Sequence, residues 1–177
     1  TPADPARGMY ELLTASLGPA PDVDGHDRVF IFIVEIADAR VVGFFDPYVA
    51  TFDEPGLRRD TIYLDAGMLR TRPSLARGTL AHEFQHLVHF GADPDEQTWV
   101  NEGLSGHAEA LAGFPETDTS MVPAFLSTPD WDLTVWPSPA TASAYGATYL
   151  FVSYLAQGFG ADAIRALVGE PRNGIEG

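Results

Sequence analysis

The run His82-Glu83-Phe84-Gln85-His86 constrains this chain more than any other stretch. Its histidines are four positions apart, and on a helix such residues lie one above the other on the same face. A helix is expected over residues 75–90, capped by Ser74 and closed by Gly91. Within it Leu80, Phe84 and Leu87 form an apolar stripe with Val88 beside it, while His82, His86 and His89 form a different stripe. That split suits a helix that packs on one side and lines a cleft on the other. Two imidazoles so placed can reach one Zn²⁺ at about 2.0–2.1 Å each. Glu83 sits one step round the helix, outside ligand geometry, where a carboxylate can exchange a proton with water. The competing reading is an amphipathic helix with surface histidines.

A catalytic zinc keeps three protein ligands and one open position, so a third ligand must come from elsewhere. The metzincin continuation, HExxHxxGxxH, needs Gly where His89 stands and His where Ala92 stands, and fails at both. The gluzincin pattern takes a glutamate from the following helix. Glu102, in Trp99-Val100-Asn101-Glu102-Gly103, follows His86 by 102 − 86 = 16 positions. On that helix Val100, Leu104, Ala108 and Leu111 make an apolar stripe, and Glu102, Gly106 and Glu109 another. Gly103 and Gly106 each cost roughly 1 kcal/mol of helix propensity relative to Ala, which makes sense if helix backbones must approach closely there.

Charge removes other classes of function. Lys and Arg number 10 against 25 Asp and Glu, a net charge of −15. Phosphate backbones and anionic membranes repel such a chain, so nucleic acid is not an expected partner. No run of apolar residues is long enough to insert in a membrane. The absence of cysteine excludes disulfides, thiolate zinc ligands and thiol catalysis, and is compatible with an exported bacterial protein. The start, Thr1-Pro2-Ala3-Asp4-Pro5, lacks the basic and apolar regions of a signal peptide, so a mature or trimmed segment is expected.

One domain over residues 1–177 is expected from the length of 177 residues. A helix is expected over 7–17 and strands over 28–36, 41–45 and 61–65, with Asp38-Ala39 turning the first strand toward the second. Asp93, with Pro94 and Glu96, is expected to cap a helix reaching Ala112. Further helices are expected over 117–126, 142–157 and 161–168, with a loop rich in Pro and Trp between the first two. Strands followed by helices indicate an α+β domain.

The run Leu80-Ala81-His82-Glu83-Phe84-Gln85-His86, followed by Trp99-Val100-Asn101-Glu102-Gly103-Leu104-Ser105 and Ala108-Glu109, resembles gluzincin metallopeptidases, most closely the hyicolysin-type secreted bacterial peptidases. Gly43-Phe44-Phe45-Asp46 and Ile62-Tyr63-Leu64-Asp65-Ala66 also resemble that family. The resemblance covers residues 41–113, with a weaker echo near Tyr145. It implies a zincin-like, thermolysin-type catalytic domain: a small twisted mixed sheet, an active-site helix and a helical C-terminal half. It also implies a secreted zinc endopeptidase acting on polypeptides, with one Zn²⁺ on His82, His86 and Glu102 and with Glu83 as general base. Such enzymes often carry an acidic residue one turn after the ligand glutamate. Here that position is Gly106, so Glu109 or Asp65 is expected to support a zinc histidine instead.

Related peptidases place a tyrosine on a later helix, aimed at the oxyanion. Tyr145 is the expected donor, with Tyr149 as alternate and His107 next. His89 is expected near the site or on the surface, His107 at the surface or packed, and His26 in an uninvolved loop. Ca²⁺ on Asp93, Asp95 and Glu96 or on Asp130 and Asp132 is conceivable, but these acids match no known loop spacing and are expected to be solvated. Two rival readings are an inactive zincin-fold binding or adhesion module, which would not need Glu83, and a zinc hydrolase of a non-peptide bond.

Overall fold

Residues 1–114 and 117–177 are described by a computed structural model. In chain order they form α1 (Met9–Leu17), β1 (Phe30–Val34), β2 (Gly43–Phe45), α2 (Pro47–Ala50), β3 (Thr61–Asp65), α3 (Ala66–Thr71), α4 (Pro73–Ala92), α5 (Thr98–Ala112), α6 (Val122–Ser127), α7 (Ala142–Phe159) and α8 (Ala161–Val168). This is an α+β arrangement with one small mixed sheet followed by helices. No helix among the described residues is long and apolar enough to cross a membrane.

The sheet order is β1-β3-β2. β1 runs parallel to β3, pairing Phe30 with Thr61, and β2 runs antiparallel to β3, pairing Phe44 with Tyr63. The turn at Asp38-Ala39 therefore does not make β1 and β2 neighbours. Their eight-residue connection is too long to enforce a tight hairpin. β3 enters between them because it is the strand with most to bury: Thr61, Ile62 and Leu64 are all buried. Phe32, Tyr63 and Phe44 share one face by register, and the outer two rings stack on the Tyr63 ring at 5.7 and 4.7 Å. β1 stays open: Ile31, Phe32 and Ile33 are about half exposed.

Helix boundaries differ from expectation where proline decides them. Pro73 supplies the first residue of α4, so Ser74 lies inside the helix and Arg72 takes the cap position, where its side chain makes no capping bond to the helix. At the other end α4 continues through Gly91 to Ala92, and Asp93 ends it instead of starting α5. The residue before a proline is driven out of the helical region, and Asp93, before Pro94, is extended at φ −146° and ψ 93°. α5 begins only at Thr98. The expected helix over 117–126 is a π turn, Thr117–Met121, followed by α6, whose first turn contains Pro123.

The core lies between the sheet and α4, α5 and α7, with Ile62, Leu87, Val100, Leu104 and Val152 fully buried. α5 contacts α4 and α7. A methyl group at Gly103 would stand 2.8 Å from the Thr148 carbonyl oxygen and from Val152 Cγ2 of α7. Gly103 thus admits α7. Gly103→Ala should lower stability by about 1–3 kcal/mol, because backbone overlap outweighs the propensity gain. Urea unfolding checks this; an unchanged or raised midpoint contradicts the close packing.

Candidate metal centre

The histidines of α4 and the glutamate of α5 meet where the two helices lie side by side. One donor atom from each of His82, His86 and Glu102 falls within 4.8 Å of the others. Glu102 Oε2 is 3.1 Å from His82 Nε2 and 3.8 Å from His86 Nε2. Ligands about 2.0–2.1 Å from a tetrahedral zinc stand about 3.4 Å apart, so this spacing fits the ion.

The opposite ring nitrogens are already held. His82 Nδ1 lies 2.8 Å from Glu109 Oε1, and His86 Nδ1 lies 3.0 Å from Asn101 Oδ1. With the proton on Nδ1, each Nε2 presents a lone pair toward Glu102, the tautomer a metal ligand needs. Of the two acids expected beside these histidines, Glu109 is the one in contact with His82. Asp65 is committed elsewhere, accepting from Met68 N at 2.7 Å and Ile36 N at 2.9 Å.

Asn101, Gln85 and Ser105 carry more than the sequence revealed. Asn101 Oδ1 also lies 3.1 Å from His89 Nδ1, and Ser105 Oγ donates to Gln85 Oε1 at 2.5 Å. Gln85, His89 and Ser105 are fully buried. They form a polar layer between α4 and α5 that fixes the rotation of one helix against the other. The signal available was their spacing: Gln85 and His89, like Asn101 and Ser105, are four apart on their helices.

Glu83 is buried, and its Oε2 accepts the Phe45 amide of β2 at 2.9 Å. It lines a cleft of about 380 Å³ together with Gly43, His82, Glu109, Met121 and Tyr145. Tyr145 stands in the first turn of α7, which is capped by Thr141, and its ring meets Trp136 edge-on at 5.0 Å. Burial, then the Glu102, Glu83 and Glu109 carboxylates, push its phenol well up, so it remains an O–H donor. Tyr149 is buried and, among the described residues, neither it nor half-buried His107 lines this cleft. Gly146, beside Tyr145, is buried, and a methyl group there would overlap the Met121 carbonyl.

His89 lies outside the three-residue group but touches it through Asn101. His26 is exposed, as are Asp95, Asp130 and Asp132. Asp93 departs from the solvated state expected of it: it is buried and clusters with His89 and Glu96.

The chain matches no family model, and no curated protein is significantly similar to it.

Burial alone would lower the His82 imidazole. The Glu102 and Glu109 carboxylates on its two nitrogens outweigh this and hold it well above its ordinary value. Glu102 responds in kind: burial raises it, but His82 and His86 bring it below its ordinary value. A histidine raised on folding adds stability that is complete below its unfolded pKa and is lost as pH rises through the folded one. The metal-free protein should accordingly lose stability as pH rises from about 6.5. Glu109→Gln should flatten that decline. Chemical denaturation in chelator across this range checks it, and parallel curves for parent and variant refute it.

Proposed function

We propose that this chain is a zinc-dependent endopeptidase of the gluzincin type, built on a zincin-like catalytic domain and acting on extended polypeptides outside the cell. The observation that carries the reading is the convergence of His82, His86 and Glu102 within 4.8 Å, with Glu83 beside His82 in the lining of one cleft. The resemblance of residues 41–113 to secreted gluzincins supports the substrate class and the extracellular location.

His82 Nε2, His86 Nε2 and the Glu102 carboxylate would hold one Zn²⁺. Zinc, when bound, supplies a Lewis acid that lowers the pKa of water and polarises a carbonyl. Glu83 accepts the proton of the attacking water and returns it to the leaving amine. The Phe45 amide holds one of its oxygens, which fixes the carboxylate's direction. Tyr145 donates its hydroxyl hydrogen to the oxyanion of the tetrahedral intermediate.

The free edge of β2 supports peptide over other substrates. Asp65 N donates to Val42 O at 2.8 Å, so Val42 and Phe44 direct their polar groups to β3. Gly43 and Phe45 then point theirs outward. Phe45 N–H is taken by Glu83, and Gly43 offers a donor and an acceptor to an added strand. A methyl group at Gly43 would stand 2.6 Å from the Tyr63 carbonyl oxygen, so only glycine lets this edge lie so close to β3.

Glu83→Gln should keep the metal and lose nearly all turnover, since the amide cannot accept a proton. Metal content by mass spectrometry and a casein digest with and without chelator check this. Activity within about tenfold of the parent removes Glu83 from the role.

Tyr145→Phe should lower kcat on the order of 10²-fold with KM little changed, because an oxyanion donor acts mainly in the transition state. Tyr149→Phe should cost far less. Steady-state kinetics on both variants, with circular dichroism for folding, separates them; an unimpaired Tyr145→Phe places the donor elsewhere.

A further inference from the structure

A second group of carboxylates lies away from this cleft, where the loop before β1 meets the start of β3. Asp22, Asp24 and Asp60 each bring one oxygen within 4.8 Å of the others. Two of these side chains are out of water: Asp60 is 1% exposed, and so is the side chain of Asp24. Asp60 Oδ2 accepts the Val23 amide at 3.0 Å, and Asp24 Oδ1 accepts the His26 amide at 3.0 Å. The remaining oxygens, Asp60 Oδ1 and Asp24 Oδ2, are buried without a hydrogen bond. Among the described residues Arg59 pairs with this group, its Nε 3.7 Å from Asp24 Oδ2. One guanidinium at that distance does not balance three carboxylates.

Asp60 Oδ1, buried with neither a hydrogen bond nor an ion pair, and Asp24 Oδ2, buried with a single long contact to Arg59, belong to a group of three acids that calls for a further cation. The donor set says which kind. All three groups offer only oxygen, with no imidazole or thiolate, which selects a hard ion. Ca²⁺ binds oxygens at about 2.3–2.6 Å, so two ligands of one ion can stand up to about 5 Å apart. Mg²⁺ demands tighter octahedral spacing of about 2.0–2.1 Å from the ion and keeps its own water. The geometry points to a Ca²⁺ site formed by Asp22, Asp24 and Asp60, which fastens the loop before β1 to the start of β3.

Burial, with Asp24 and Asp22 nearby, pushes the Asp60 carboxyl up to about 6 although the Val23 amide opposes this. That agrees with a site whose charge lacks a partner. The fastening would act on the sheet itself, because Phe30 N donates to Asp60 O at 2.7 Å and so sets β1 on β3. The other group, His89, Asp93 and Glu96, is of a different kind: Glu96 already accepts the Gly174 amide at 2.8 Å, and its buried atoms without a hydrogen bond, Asp93 Oδ2 and His89 Nε2, include a single carboxylate oxygen.

Thermal unfolding of the whole chain tests this, independently of any peptidase activity. CaCl₂ at a hundredfold excess over its Kd should raise the midpoint by roughly 5–10 °C, and equimolar MgCl₂ much less. Calorimetric titration with CaCl₂ should give one site. Glu102→Ala should keep the response, which separates it from the histidine cluster. Asp60→Asn should abolish it, and in chelator this variant should melt at or above the parent because repulsion is relieved. A residue of purely structural value would instead lower the midpoint in both media. Asp24→Asn, read the same way by calorimetry, serves if Asp60→Asn does not fold. No calcium response in the parent, or an undiminished response in both variants, overturns the assignment.

Discussion

Everything at the centre of this molecule depends on how α5 is held between α4 and α7. Glu102 stands between two imidazoles of α4 only if α5 has one rotation and one height. Its height against α7 is set at Gly103, where backbone meets backbone. Its rotation against α4 is set by polar groups, since apolar side chains alone would tolerate sliding. Ser105 reaches Gln85, and Asn101 lies against both His86 and His89. Buried hydrogen-bonding groups lose their partners when a helix turns, so each contact penalises a wrong orientation.

That arrangement gathers negative charge. Glu83 and Glu109 line one cleft with His82, and Glu102 lies against His82 and His86. In the metal-free protein a proton on His82 relieves part of the imbalance, which is why its imidazole is held so high. A divalent ion at the same place would relieve more, and would have to displace that proton. The aspartates near β3 pose the same problem with no imidazole to help. In a chain of net charge −15, both clusters bury acids that water would otherwise solvate. Burial of that kind makes physical sense where a cation is the intended partner.

The parts of this picture legible in the sequence are those written in local periodicity. β3 and α8 have the bounds expected of them, and the apolar stripes on α4 and α5 face the core as spacing implied, although His89 of the histidine stripe is fully buried between the helices. The i, i+4 histidines and Glu102 come together as their helical positions suggested. What stayed hidden was long-range. Strand order depends on which strand buries most, and nothing local in the 28–36 run reveals that it ends at an edge. Asp93 looked like a cap because Pro94 follows it. The same proline forces it extended and makes it the end of α4. Gly103 marked a close helix approach, but the helix it admits is α7, and Gly146 packs against Met121, before α6; both partners are distant in sequence. Asp22, Asp24 and Asp60 could not be joined by spacing, because 36 positions separate the second from the third.

Strand β2 and Glu83 are linked in a way that bears on the proposed chemistry. In an antiparallel pair, alternate residues point their polar groups to opposite edges. Phe45 directs its amide away from β3, and that amide binds Glu83. Gly43, two residues earlier, has the same orientation and borders the same cleft. A peptide that paired with Gly43 would therefore lie in a fixed register with the carboxylate held by Phe45. One short strand would then set both the position of the substrate and the direction of the base. This gives a physical reason for the close fit of Gly43 against Tyr63 and Leu64: a side chain there would shift the strand, and with it the base.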